Sequence, residues 1–477
     1  MSDASTKPYQ LPGHWVFGEP YLRFGSKDAR DVDIHPMRGL LRWGPYSKDK
    51  LAAVSNPIRL AMIAPFGASD RLVHQIRELE QSHQPRERKA YLPAFPGFEK
   101  IFGARIARGG QGTSIELPND LTEQMLQSPT PHLVLAQALT RALFALRNLR
   151  NDYDVVVVLL TDVWSAGFRG PTNEDFDLHD YVKAYAASEG ICIQILRDSS
   201  ALDYHCRCSV AWRLGIALYT KAGGIPWVLA DVESGTAFIG IDYALRAGGS
   251  ADSRFAICCS QVFDAEGSGL EFIAYEAEGV QMFGKNPFLR REQMLKVMAR
   301  SLAIYQKKHA GDPPRRVVVH KNTQFRPEEV EGVFDALPHA ENIELVHVQQ
   351  SCGWRGVLIS APQQPHGYPC RRGSALQLGD YEALLWTQGN LPEIANGKDY
   401  FKEGKGTPEP LLLTRYAGLG SIEDLCRETL ALTKMDWNND GPYDRLPVTL
   451  NFAGTLATIV KRMPKLEPRS YPVRLFM

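Results

Sequence analysis

The run at residues 154–161, DVVVVLLT, is the feature that most constrains the fold. Its apolar residues follow one another without alternation, and most of them are β-branched. Such a run is typical of a strand that is buried on both faces of a parallel sheet, with helices packed on each side. The surrounding pattern predicts a strand at 58–65 and helices at 70–81 and 133–149. The first half is therefore expected to form a doubly wound, Rossmann-like α/β domain.

The second half has a different order of predicted elements. Strands are predicted at 236–243, 254–263 and 270–275, followed by a long helix at 290–309 and a strand at 316–320. Three antiparallel strands, a helix and a parallel strand is the order of the RNase H fold, so a second α/β domain is expected. Further elements are predicted at 410–414, 422–433 and 448–461.

The overall charge gives no sign of a polyanionic partner. The 477 residues carry 54 basic and 54 acidic side chains, so the formal net charge is zero, and any nucleic acid would have to bind in a local groove. The polar N-terminus does not read as a signal peptide, and no apolar run approaches the ~20 residues of a membrane span. The eight cysteines form no CxxC pair. We therefore expect a cytoplasmic protein with reduced thiols and no membrane partner.

Four polar side chains are the strongest candidates for a binding site. His179 and Lys183 are four residues apart, so they share one face of a predicted helix. Gln194 lies in the apolar run ICIQIL, which predicts a buried strand, and Lys221 follows a predicted helix at 209–220. Two cations, an amide and a cationic imidazole suit one terminal phosphate, which takes charge-assisted donors from several directions. The alternative is a surface histidine and two solvated lysines.

In order and spacing, these four residues resemble the MID domain of Argonaute proteins, which binds the 5′ end of a guide strand. That family has an aromatic or basic residue, a Lys four residues later, a Gln that opens the next strand, and a Lys before a Gly-Gly turn. The resemblance implies that His179, Lys183, Gln194 and Lys221 bind the guide 5′ phosphate.

Two further segments extend the resemblance along the chain. KAGGIPW at 221–227 is similar to the passage from MID into PIWI, and residues 19–46 resemble the opening of short prokaryotic Argonautes. The resemblance implies a Rossmann-like MID domain with an N-terminal extension at 1–225. An RNase H-like PIWI domain would follow at 226–477.

A PIWI nuclease needs clustered carboxylates, because two divalent ions must stabilise the attacking and leaving oxygens of the phosphodiester. By resemblance, Asp242 occupies the first ligand position, but Asn322 and Gly454 occupy the positions of the other expected ligands. Lys321 adds a positive charge beside Asn322. Glu292 lies in the region of the family's mobile glutamate but does not align firmly with it. The site is therefore expected to be degenerate, so the chain would not be an enzyme itself.

The C-terminal segment, 461–477, is basic and ends in the apolar sequence RLFM. Several family members fold this segment back, so that the terminal carboxylate meets a divalent ion at the guide phosphate. The resemblance therefore implies Mg²⁺ held by the Met477 carboxylate and the guide. The alternative is a solvated basic segment.

The function implied by the resemblance is guide-directed recognition without cleavage. The expected partners are a guide RNA and a complementary single-stranded DNA target, with base pairing reading the sequence. Output would come from an APAZ-containing effector protein, which carries a TIR domain, a sirtuin-type NAD-consuming domain or a nuclease. The heterodimer could form a higher-order assembly on activation, in defence against plasmids or phages.

Two other functions remain open from the sequence. One is an autonomous guide-directed nuclease with relocated metal ligands. The other is an unrelated α/β enzyme that acts on a phosphorylated small molecule.

Overall fold

The computed structural model describes residues 13–25, 28–48, 54–172, 174–246, 254–262, 270–277, 280–283, 286–401, 406–438, 441–463 and 470–477. The strands of the first half are β1 (His14–Val16), β2 (Leu22–Arg23), β3 (Val32–Asp33), β4 (Ile58–Ala64), β5 (Ile106–Arg108), β6 (Ser114–Glu116), β7 (Val155–Leu160), β8 (Ile193–Arg197) and β9 (Val228–Leu229). Its helices are α1 (Pro36–Trp43), α2 (Ser69–Arg77), α3 (Phe98–Phe102), α4 (Leu121–Gln127), α5 (Pro131–Arg147), α6 (Leu178–Ser188) and α7 (Arg207–Lys221).

The first half forms the predicted parallel sheet. Its strands lie in the order β5-β4-β7-β8, and β6 also pairs with β4. All six residues of β7 are buried. Val155, Val157 and Leu159 pack into one hydrophobic cluster, whereas the alternate residues pack into another. This two-sided burial explains why the sequence of β7 shows no polar alternation, and it confirms the Rossmann-like prediction.

Within the described residues, the second half contains one large sheet and two separate two-stranded sheets. Its strands are β10 (Thr236–Arg246), β11 (Arg254–Val262), β12 (Leu270–Ala277), β13 (Gln281–Phe283), β14 (Asn286–Phe288), β15 (Arg316–Lys321), β16 (Asn342–Gln349), β17 (Val357–Ala361), β18 (Gln364–Pro369), β19 (Ser374–Gly379), β20 (Glu382–Leu385), β21 (Leu411–Ala417) and β22 (Ser470–Pro472). Its helices are α8 (Arg291–Lys308), α9 (Pro327–Ala336), α10 (Ile422–Leu432) and α11 (Val448–Val460).

The order of the large sheet is that of the RNase H fold. β10, β11 and β12 are antiparallel neighbours, and β15 returns parallel to β10 after helix α8. Helix α11 crosses the sheet very close to β10, because a Cβ added at Gly240 would lie 2.0 Å from the Thr449 carbonyl oxygen. The predicted α/β class and RNase H-like architecture are therefore confirmed.

Several features were not predicted. Strand β1 pairs with β19 and so joins the second sheet, although its residues precede the first domain. The chain also returns near its end, where β22 pairs with β12. The hairpin of β17 and β18 was missed as well. Helix α7 is longer than predicted: Lys221 is its last residue and does not follow it.

A buried ion triad ties the N-terminal segment to the second half. Glu19 accepts hydrogen bonds from Arg372 Nε at 2.7 Å and from Lys434 Nζ at 2.8 Å. All three side chains are almost completely buried. The triad therefore links three segments that are far apart in the sequence.

Within the described ranges, no helix is both long and apolar enough to cross a bilayer.

Candidate functional site

Two buried lysines meet the last residues of the chain. Lys183, on α6, donates a hydrogen bond from Nζ to the main-chain oxygen of Phe476 at 3.2 Å. Lys221, at the end of α7, donates to the main-chain oxygen of Met477 at 2.6 Å. Only 5% and 1% of the two residues, respectively, are exposed. The fold thus brings together two cations that lie on different helices.

Burial disfavours the charged form of both ammonium groups, although the Met477 oxygen bonded to Lys221 belongs to a terminal carboxyl group. Burial lowers the pKa of Lys183 to about 8, although Asp180 and Asp436 oppose the shift. Burial lowers the pKa of Lys221 to about 7, and repulsion from Lys183 contributes. Neither lysine forms an ion pair with an aspartate or glutamate in the described part of the chain. A bound anion would therefore restore much of the charge stabilisation that burial removes.

Gln194 lies between the two lysines in the sequence, but its side chain faces a separate cavity. The cavity has a volume of about 200 Å³ and is also lined by Arg213 and Asn438. Gln194 Nε2 donates to the Ile195 carbonyl oxygen at 3.1 Å. Its Oε1 is buried and has no hydrogen-bond partner among the described residues. This oxygen is available to a donor or to a cation.

His179 lies at the first turn of α6, and about half of its side chain is exposed. It lines a pocket of about 460 Å³ together with Phe168, Arg169 and Arg197. Desolvation of the ring lowers the pKa of His179, and this effect exceeds the opposing hydrogen bond with Asp180. The lowered pKa favours the neutral form of the imidazole in the ligand-free protein.

An acidic cluster beside His179 was not predicted. Ligand atoms of Asp177, His179 and Asp180 all lie within 4.8 Å of one another, so the group could hold a metal ion. However, Asp177 caps α6 and pairs with Arg169 at 2.8 Å, and Asp180 lies 3.5 Å from Arg462. Because arginines already offset both carboxylates, the cluster is poorly suited to a cation.

The three positions that the resemblance assigns to nuclease ligands do converge. Asn322, directly after β15, donates from Nδ2 to Asp242 Oδ1 at 2.7 Å, and the Tyr243 N–H donates to the same oxygen at 2.8 Å. A Cβ added at Gly454 on α11 would lie 3.2 Å from Asp242 Oδ2. Burial raises the pKa of Asp242, against these two hydrogen bonds. The described geometry thus contains one carboxylate where the family pattern would place several.

The Lys321 ammonium does not face Asp242, which corrects the expectation of an added charge there. Its Nζ forms a fully buried ion pair with Glu329 Oε1 at 2.5 Å. The same ammonium lies 4.9 Å from the centroid of Phe288 and 5.3 Å from that of Phe325. Glu292, the insecure match to the mobile glutamate, is exposed at the first turn of α8.

Other residues of the site escaped the sequence analysis. Asp436 attracts both buried lysines, and Asn438 and Arg213 line the cavity of Gln194. The loop between α10 and α11 carries Asp436 and Asn438, and no spacing rule connects that loop to residues 183–221. A sequence signal could have been found for Arg213 alone, since it lies on the same helix as Lys221.

Comparison with known proteins relates both halves to one family. No family model matches the chain. The sequence is 22% identical to the protein Argonaute of Aquifex aeolicus over 336 residues, which is 69% of this chain and 42% of that protein.

Solved structures share the fold. The chain is similar to Clostridium butyricum Argonaute bound to a guide DNA with a 5′ deoxycytidine and a 19-mer target DNA. The TM-score is 0.66 with 14% identity, covering 97% of this chain and 54% of that one. The structure of Drosophila Piwi gives a TM-score of 0.61 with 16% identity, covering 97% and 56%. The chain therefore spans about half the length of these relatives.

Proposed function

Because sequence and fold make this chain a homologue of the Argonaute proteins, we propose that it binds a guide strand by its 5′ phosphate. The guide, RNA in our proposal, then recognises complementary single-stranded DNA. The observation that carries the proposal is the pair of buried lysines, Lys183 and Lys221, which have lowered pKa values and no acidic side-chain partner among the described residues. His179 and Gln194 complete the proposed phosphate site, with the 460 Å³ pocket beside His179 available to the terminal nucleotide.

The test compares guides that differ only at the 5′ end. Lys183→Met removes the charge but keeps the length of the side chain, so it should weaken binding of a 5′-phosphorylated guide by roughly 1.5–3 kcal/mol. A 5′-hydroxyl guide should bind weakly to the wild type and be nearly indifferent to the substitution. The matched control is Lys100→Met, because Lys100 is exposed on α3. Equal losses for both guides would contradict a phosphate-reading site.

A divalent ion fits this site chemically. Mg²⁺ takes oxygen ligands, and the Met477 oxygen lies 2.6 Å from Lys221 Nζ. We propose that the Met477 carboxylate and the guide phosphate hold the ion. The ion would offset the repulsion between the two anionic groups.

We further propose that the chain recognises its target without cutting it. Two-metal phosphodiester cleavage needs several anionic ligands, whereas Asn322 supplies an amide donor and Gly454 supplies no side chain. Asn322→Asp alone should therefore leave target DNA intact. In this proposal Asp242→Ala also leaves guide and target binding unchanged, because neither depends on metal held at that carboxylate.

The output is proposed to come from an APAZ-containing effector on another chain. This step is supported by the finding that only Asp242 among the three nuclease positions carries a carboxylate. A chain that binds its target without cutting it needs another chain to produce a chemical output. NAD loss or nuclease activity should be measured with the reconstituted complex. Activity should need guide and complementary strand together, because a ligand shifts an equilibrium only by its differential affinity for the two states. Activity that is constant without the target would contradict the proposal.

A further inference from the structure

A second cationic cleft lies between the two halves of the protein. It is about 400 Å³ in volume and is lined by Arg59, Arg150 and Arg474, together with Asp154 and neutral groups. Arg59 lies at the beginning of β4, and Asp154 directly precedes β7, so the cleft is at the amino ends of the parallel strands. His179 follows the carboxyl end of β7 and therefore lies at the other edge of the sheet. The arginine cleft is thus separate from the pocket of His179.

The three arginines differ in how far their charges are offset. Arg59 is neutralised by Asp154, with Nη2–Oδ1 at 3.0 Å and Nε–Oδ2 at 3.3 Å. Arg150 donates to the Gly190 carbonyl oxygen but pairs with no carboxylate of the described residues. Arg474 makes neither a hydrogen bond nor an ion pair within the described ranges, although it is only partly exposed. Two guanidinium groups therefore face the cleft without a counter-ion.

The nearest titratable neighbour does not supply the missing negative charge. Cys192 lines the cleft, and its thiol is close enough to interact electrostatically with Arg474, Lys221 and Arg150. Burial raises the pKa of this thiol, so it stays neutral at physiological pH. The excess of positive charge in the cleft is therefore left for a ligand or for solvent ions.

We infer that the cleft between Arg150 and Arg474 is a second phosphate-binding site, which lies beside the lysine pair and uses other side chains. Guanidinium groups donate parallel hydrogen bonds that match the oxygens of a phosphate, and they are favoured wherever such groups are bound. The two arginines come from opposite halves of the protein, so a phosphate between them would also join the halves. The phosphate belongs either to the backbone of a nucleic-acid strand or to a small molecule.

The first arm of the test uses inorganic phosphate and calorimetry. The host protein carries Lys183→Met and Lys221→Met, so that the lysine pair does not contribute. Arg474→Gln and Arg150→Gln are compared on this background, because they alter separate elements and therefore do not share a folding defect. Arg77→Gln, at an exposed arginine on α2, is the control. If the ligand is a small molecule, either cleft variant should bind phosphate at least tenfold more weakly than the host protein. The control variant should bind phosphate as tightly as the host protein.

The second arm uses a 5′-hydroxyl single-stranded oligonucleotide and measures the salt dependence of its affinity. If a backbone phosphate occupies the cleft, each cleft variant should reduce the slope of log K against log salt by about 0.7. A small-molecule site leaves that slope unchanged while phosphate binding is lost. If both cleft variants match Arg77→Gln in both arms, the inference is overturned. Neither arm uses a 5′-phosphorylated guide, so such a failure leaves the proposed guide site standing.

Discussion

Recognition of the guide 5′ phosphate should weaken steeply with rising pH. The pKa values of about 8 for Lys183 and about 7 for Lys221 apply to the phosphate-free protein. Binding a dianion favours the protonated amines, so protons must be taken up whenever the lysines are neutral. The phosphate itself stays fully ionised in this range, because its second pKa is about 6. The affinity should therefore fall as pH rises through 7 and 8.

The size of the effect follows from the protonated fractions. At pH 7.5 about 0.76 of Lys183 and about 0.24 of Lys221 is charged, whereas at pH 9 the fractions are about 0.09 and about 0.01. If only Lys183 must be charged, the affinity falls about 8-fold between these pH values, and if only Lys221 must be charged it falls about 24-fold. If both must be charged, the loss is about 200-fold, or ~3 kcal/mol.

The assay is fluorescence anisotropy of two guides of the same sequence, one 5′-phosphorylated and one 5′-hydroxyl, from pH 6.5 to 9. The ratio of the two affinities removes pH effects that the guides share. In Lys221→Met the ratio should be smaller at pH 7 and should change less with pH, whereas Lys100→Met should behave as the wild type. A wild-type ratio that stays constant from pH 7.5 to 9 would refute the reasoning.

The same lowered pKa values predict the stability of the ligand-free protein. Lysines in the unfolded chain titrate near 10.4, so between about pH 7 and 10 the unfolded state binds more protons than the folded state. These two lysines therefore make the free energy of unfolding rise with pH across that window, and a bound phosphorylated guide should suppress the rise.

Three further predictions concern the fold and the chain end. Glu19→Gln leaves two buried cations without their carboxylate and should lower the free energy of unfolding by roughly 3–5 kcal/mol in urea denaturation. A loss below about 1 kcal/mol would show that Glu19 does not pair with the two cations as described. Gly240→Ala should lower the free energy of unfolding by about 1–3 kcal/mol, because the added Cβ would lie 2.0 Å from the Thr449 carbonyl oxygen. Gly367→Ala should leave the free energy of unfolding nearly unchanged, because nothing lies within 4 Å of its added Cβ. Adding residues after Met477 should weaken a 5′-phosphorylated guide about tenfold and reduce the effect of EDTA, since the proposed ion would lose a ligand; unchanged affinity with and without EDTA would argue against that ion.

Local pattern predicted β4, β7 and β8 of the first sheet and β10, β11, β12, β15 and β21 of the second, but not β16, β19 or β20. The uninterrupted run of β7 and the order of β10, β11, β12, α8 and β15 depend on periodicity and length, which are properties of the sequence itself. Strand β1 was missed because it has three residues, and its pairing depends on a strand more than 350 positions away. A short strand of this kind is defined by tertiary contacts and not by its own propensity.

The sequence likewise predicted only part of the candidate site. Spacing and resemblance identified Lys183 and Lys221, but their contacts with Phe476 and Met477 span 293 and 256 positions, which no local rule covers. The lowered pKa of His179 also could not be predicted, because it depends on desolvation in the folded protein. Lys321 was misread for a related reason: its partner, Glu329, becomes apparent only when α9 packs against β15.

The central claim is that the protein recognises a target strand by means of a guide and leaves it uncut. The most direct measurement incubates protein loaded with a 5′-phosphorylated guide with labelled complementary single-stranded DNA and Mn²⁺, and follows both retention and length of the target. The account predicts that the target is retained in a guide-dependent manner and keeps its full length. A target that is cut by the isolated chain, with cutting abolished by Asp242→Ala, would contradict it.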